Sequence, residues 1–152
     1  MFLSLRTIAI STAVIGAGIV GALAADKSEH PYALGTVWNV SYIETKPGHF
    51  DDYMKYISTV WRLTQENEKK AGRVISYKVL AVSSPRDNEP DLILMVEQPN
   101  WAVNDTPLSV IDAATKAVEG SIKASNDAFA ARGEIRTLRG GLQAQELLVS
   151  GK

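Results

Sequence analysis

Strands that are apolar on both faces constrain this chain more than any motif in it. Past a polar stretch near residue 30, short β-branched and aromatic runs alternate with longer runs of helical periodicity. Their order is strand, helix, strand, strand, helix, strand. A sheet of about four such strands needs cover on each side. Two helices can cover one face, and a second copy of the chain is the expected cover for the other.

The first strand is expected at Thr36-Val37-Trp38-Asn39-Val40-Ser41-Tyr42-Ile43, opened by Gly35 and broken by Lys46-Pro47-Gly48. Alternation puts Val37, Asn39, Ser41 and Ile43 on one side, and Trp38, Val40 and Tyr42 on the other. Helix one follows, because Phe50, Tyr53, Met54, Ile57, Val60, Trp61 and Thr64 recur at three- and four-residue steps. Asp51 and Asp52 fall in its first turn and Lys69 and Lys70 in its last, as the helix dipole favours. Gly72 is its expected stop. Residues 73–83 form the second strand, with Lys78 as an edge lysine that discourages aggregation. Turn chemistry at 84–90 leads into the third strand at 91–97, which is almost continuously apolar and therefore central. A second helix is expected over Leu108 to Ala131, burying Leu108, Ile111, Thr115, Val118, Ile122 and Phe129. Gly133, Gly140 and Gly141 punctuate a linker before a last strand at Gln143 to Val149.

The segment before this pattern reads as a targeting signal. Residues 7–23 are apolar and uncharged after the single Arg6, and Ala22-Leu23-Ala24 is an A-x-A cleavage site. Residues 1–24 are therefore expected to be a signal peptide, with a retained membrane anchor as the competing reading. Residues 25–34 are a flexible leader, and 35–150 the folded domain. The formal GxGxxG at Gly16 to Gly21 has no room for the helix that a dinucleotide site requires. The expected location is periplasmic or secreted, with no membrane association after cleavage.

Removing residues 1–24 leaves 128 residues, one ordinary domain. It contains no cysteine, so no disulfide, thiolate metal site or cysteine nucleophile is available. Fifteen basic residues face 17 acidic ones without a basic patch, which argues against nucleic-acid binding.

The element order, the first strand running into Lys46-Pro47-Gly48-His49-Phe50, and Asn100-Trp101-Ala102 after the third strand resemble the dimeric α+β barrel superfamily. That group contains the antibiotic-biosynthesis-monooxygenase-like and stress-responsive barrel proteins. The resemblance covers about residues 35–149. It implies a ferredoxin-like βαββαβ unit: a four-stranded antiparallel sheet with two helices on one face, dimerising through the other. It also implies a cavity between each sheet and its helices. Members range from cofactor-independent monooxygenases and isomerases to haem-degrading enzymes, and many have no known activity.

Asn39, mid-strand where apolar residues would be easier to bury, is the first candidate for catalysis, polarising a ligand. His49, beside a helix start, is the second, as a proton shuttle. Trp38, Trp61, Tyr77 and Trp101 are the candidate aromatic lining for a flat apolar or aromatic ligand. His30 and His49 are the sole histidines, so no metal site is expected, and no cofactor. The haem-degrading branch pairs a first-strand asparagine with a tryptophan after the third strand, which Asn39 and Trp101 could match. It also needs a histidine on the later helix, where this chain has none. The leading expectation is an exported homodimer with a small-molecule pocket and oxygenase or isomerase chemistry. The alternative is a non-catalytic ligand-binding or stress-associated dimer, and haem binding is third.

Overall fold

The computed structural model describes residues 30–149. The expected signal peptide, its GxGxxG and the first part of the leader lie outside them. Four strands, β1 (Tyr32–Thr45), β2 (Ser76–Ala81), β3 (Leu92–Gln98) and β4 (Arg136–Val149), form one sheet in the order β2-β3-β1-β4. Every neighbouring pair is antiparallel. Between β1 and β2 run α1 (Phe50–Tyr56), a π-helical turn (Ile57–Trp61) and α2 (Arg62–Lys70). Between β3 and β4 run a 3-10 segment (Trp101–Asp105), α3 (Leu108–Glu119), α4 (Ile122–Ala131) and a 3-10 turn (Arg132–Glu134). With all helices on one face, this is the ferredoxin-like α+β fold expected from the element order.

The core lies between β1, β3 and the first helical run. Ile43, Leu92 and Leu94 project from the sheet onto Tyr53 and Ile57, with Met54, Trp61, Val79 and Ile135 packed around them. Val37, at 0% exposure, Ile43 and Leu92 are the most completely buried side chains. Each contributes roughly 1.5–3 kcal/mol through burial. Their alternation assigns the faces: Val37, Asn39, Ser41 and Ile43 look toward the helices, and Trp38, Val40 and Tyr42 toward the open side. The π turn has a local cause. Ser58 Oγ and Thr59 Oγ1 both donate to Lys55 O, at 3.0 and 2.7 Å, and compete with the backbone ladder there.

Four expectations change. Tyr32 to Leu34, placed in the leader, belong to β1 and pair with Leu147 to Val149. β4 begins at Arg136 and not at Gln143, so Gly140 and Gly141 sit within it. There β4 carries extra residues opposite the stretch Ser41/Ile43, and Gly140 adopts φ 102°. A Cβ on Gly141 would stand 2.5 Å from Val40 O, so the strand crossing requires glycine. β2 starts at Ser76, three residues later than expected, although Val74 is buried.

The second helix is two helices. Gly120, at φ 82°, closes α3, and Ser121 Oγ accepts from Ala124 N at 3.0 Å to open α4. That break redirects the apolar stripe. α3 packs against α2 and α4, and Leu108 is left 76% exposed, with Ile111 and Phe129 also exposed.

Candidate functional site

The helix-facing side of the sheet is built in cross-strand rows. One row is Gln98 on β3, Val37 on β1 and Gln145 on β4; the next is Val96, Asn39 and Gln143. Toward β4 both rows end in glutamine, while toward β3 one ends in Val96 and the other in Gln98. Gln143 Nε2 donates to Asn39 Oδ1. Gln145 Oε1 accepts from Trp101 Nε1 at 3.0 Å, and its Nε2 donates to Gly35 O at 3.3 Å. Asn100 makes Trp101 available for this, because Asn100 Oδ1 caps the 3-10 segment by accepting from Ala102 N.

Above the Gln98 end of these rows opens a cleft of about 370 Å³. α2 supplies one wall through Thr64 and Glu68, and α3 the other through Ile111, Ala114, Thr115 and Glu119. The loop residues Val103, Asn104 and Thr106 close one end. Arg73 and Glu68 form a bidentate ion pair at its edge, 2.5 and 2.8 Å, which raises the already high Arg73 pKa and fixes both charges in place. Thr64 and Thr106 donate their hydroxyl protons to Val60 O and Val103 O, so each offers only an acceptor inward. Gln98 Oε1 is buried at this site with no hydrogen-bond partner. Nearly all buried polar atoms are satisfied, so this oxygen marks the cleft as a place where a donor is wanted.

The expected site residues separate into four places. Asn39 and Trp101 are joined through Gln143 and Gln145 on the helix-facing side, one row from Gln98. Trp61 and Tyr77 meet edge to face, 5.3 Å apart, between α2 and β2. The Tyr77 hydroxyl donates to Glu66 Oε1 at 2.6 Å; that bond raises the phenol pKa and lowers the carboxyl's. Trp38 lies on the opposite, open face, where Lys78 Nζ stands 5.2 Å from its ring centre. His49 precedes α1, with Nδ1 2.9 Å from Asp52 Oδ2. It follows the Thr45 end of β1, whereas Trp101 is tied through Gln145 to Gly35 near the strand's beginning, so the two do not share a site. None of these six residues lines the cleft.

Sequence reasoning did not single out Gln98, Gln143, Gln145 or the Arg73–Glu68 pair. Alternation alone could have flagged Gln143 and Gln145, which share a face of β4 with no apolar residue between them on that side. Among the described residues, no group of three or more histidines or acids is arranged to hold a metal ion. No described helix is long and apolar enough to cross a membrane.

No protein-family model matches the chain, and no curated protein does. Among solved structures, the chain is similar to HapK from Hahella chejuensis, with a TM-score of 0.50 and 14% identity. The match covers 76% of this chain and 96% of HapK. The relation is one of fold. The likeness shows the fold alone, and a fold does not carry chemistry with it.

Proposed function

We propose that the protein is an exported homodimeric α+β barrel protein that binds a small, partly apolar molecule in the cleft between α2 and α3. The observation that carries this reading is the buried, unpartnered Gln98 Oε1 at the floor of a 370 Å³ cleft. A ligand with a hydroxyl or amide donor would satisfy it, while Ile111, Ala114 and Val103 take the apolar remainder. A molecule extending along the sheet would reach Asn39, whose amide NH2 remains available while its oxygen accepts from Gln143. Among the described residues, the carboxylates lining the cleft are Glu68, paired with Arg73, and Glu119, which accepts from Ser125 Oγ at 2.8 Å.

The dimer part rests on the open face. Val40 and Tyr42 on β1, Ile93 and Met95 on β3, and Leu142 on β4 present apolar side chains where no helix packs. A second copy of the same sheet is the cover that this surface fits. Native mass spectrometry of protein purified from its own host tests both parts together. The expected result is a dimer carrying a displaceable small molecule, and Gln98→Leu dimers that have lost it. A monomer at micromolar concentration, or wild-type dimers free of any small molecule, would overturn the reading.

A further inference from the structure

Near the start of β4, Arg136 is buried and Arg132 half-buried, each without an ion-pair partner among the described residues. Arg136 is only 7% exposed, and its Nε has no hydrogen-bond partner; Arg132 Nε is likewise buried and unpartnered. Both instead lie against rings. The Arg132 guanidinium is 4.1 Å from the centre of Tyr56 and 5.6 Å from that of Phe129. The Arg136 guanidinium is 5.1 Å from Phe129 and 5.7 Å from Tyr53.

Stacking on a ring uses the flat face of a guanidinium. It does not serve the in-plane N–H donors: Arg136 gives one of them to the Tyr53 hydroxyl, while the Nε–H of both arginines stays unpartnered, and in-plane donors are the ones that match a carboxylate or phosphate in fork geometry. Two cations sharing one ring also repel each other, so the pair gains twice from an anion placed between them. Glu119, whose charge reaches Tyr56, accepts from Ser125 and forms no ion pair with either arginine. Burial raises the pKa of Tyr53 and of Tyr56, so both phenols stay protonated at neutral pH and can act as donors. Phe129, 54% exposed, brings the ring that both guanidiniums face to the surface.

We infer that Arg132 and Arg136, flanked by Tyr53, Tyr56 and Phe129, form a binding site for the carboxylate or phosphate group of a small organic anion. This site does not depend on the cleft at Gln98, with which it shares none of these five residues.

The test follows the Arg Nε–Hε signals of the purified protein by NMR during titration with benzoate, inorganic phosphate and, as a neutral control, benzyl alcohol. Saturable shifts of the Arg132 and Arg136 signals are expected with one or both anions and not with the alcohol. Benzoate alone would assign a carboxylate ligand, and phosphate alone a phosphoryl group. Arg132→Gln, at the more open position, should weaken binding roughly tenfold or more. Arg136→Lys keeps the buried charge, guards against loss of folding, and should weaken it less than Arg132→Gln does. No shift at roughly 10 mM anion, or shifts unchanged in Arg132→Gln, would overturn the inference.

Discussion

Trp101 Nε1 donates to Gln145 Oε1 at 3.0 Å, tying the segment after β3 to the edge strand β4 across 44 residues of sequence. This bond, with the Gln143–Asn39 contact beside it, makes the helix-facing side of β4 polar.

Trp101→Phe keeps most of the ring and removes that donor. A loss of about 1 kcal/mol or less in urea unfolding is expected, since the pair is partly exposed. Gln145→Leu should cost about the same, and the double substitution less than the sum of the two. Strict additivity in this cycle would mean that the bond contributes nothing.

Tyr77 and Glu66 predict a pH dependence. Glu66 has a folded pKa below its ordinary 4.5, chiefly because it accepts from the Tyr77 hydroxyl. A depressed carboxyl pKa contributes stability that is present above the unfolded value and lost as pH falls through the folded one. Tyr77→Phe should therefore lower the thermal midpoint at pH 7, with the gap to wild type narrowing below about pH 4.5. A gap that is constant from pH 7 to about pH 3 would argue against this linkage.

Gly141→Ala should be among the most damaging single-methyl additions in the chain. Its Cβ would meet the Val40 carbonyl oxygen at 2.5 Å, and backbone in a central strand cannot step aside. A loss of about 1–3 kcal/mol is expected, read from denaturant midpoints. Gly133→Ala, whose Cβ would meet nothing within 4 Å, is the control and should be nearly neutral.

Met95→Glu would place a charge in the middle of the open face, opposite Val40 on β1 and Lys78 on β2. If this face pairs with a second copy, the substitution should yield a folded monomer, by sedimentation, with unchanged far-ultraviolet circular dichroism. A Met95→Glu protein that remains dimeric would move the interface elsewhere.

Element order, the identity of the central strand and the split of β1 into two faces were all legible in the sequence. They follow from periodicity, which is a local property; which of the two faces of β1 meets Tyr53 and Ile57 did not, because Val37 and Ile43 on one side and Trp38, Val40 and Tyr42 on the other are both apolar. The helix break was half visible, because Gly120-Ser121 is a stop followed by a cap, yet the apolar stripe ran through it. Contacts between distant segments were not legible. Alternation could place Gln143 and Gln145 on one face of β4 but not name Asn39 and Trp101 as their partners, and nothing local distinguishes an arginine buried against Tyr53 from one in water. Those pairings depend on where the chain brings β4 alongside β1, more than 100 residues apart in sequence for Asn39 and Gln143. Sequence by itself determined which residues seek burial; the tertiary structure decided which polar groups were left there without partners, because only packing removes water from a particular atom.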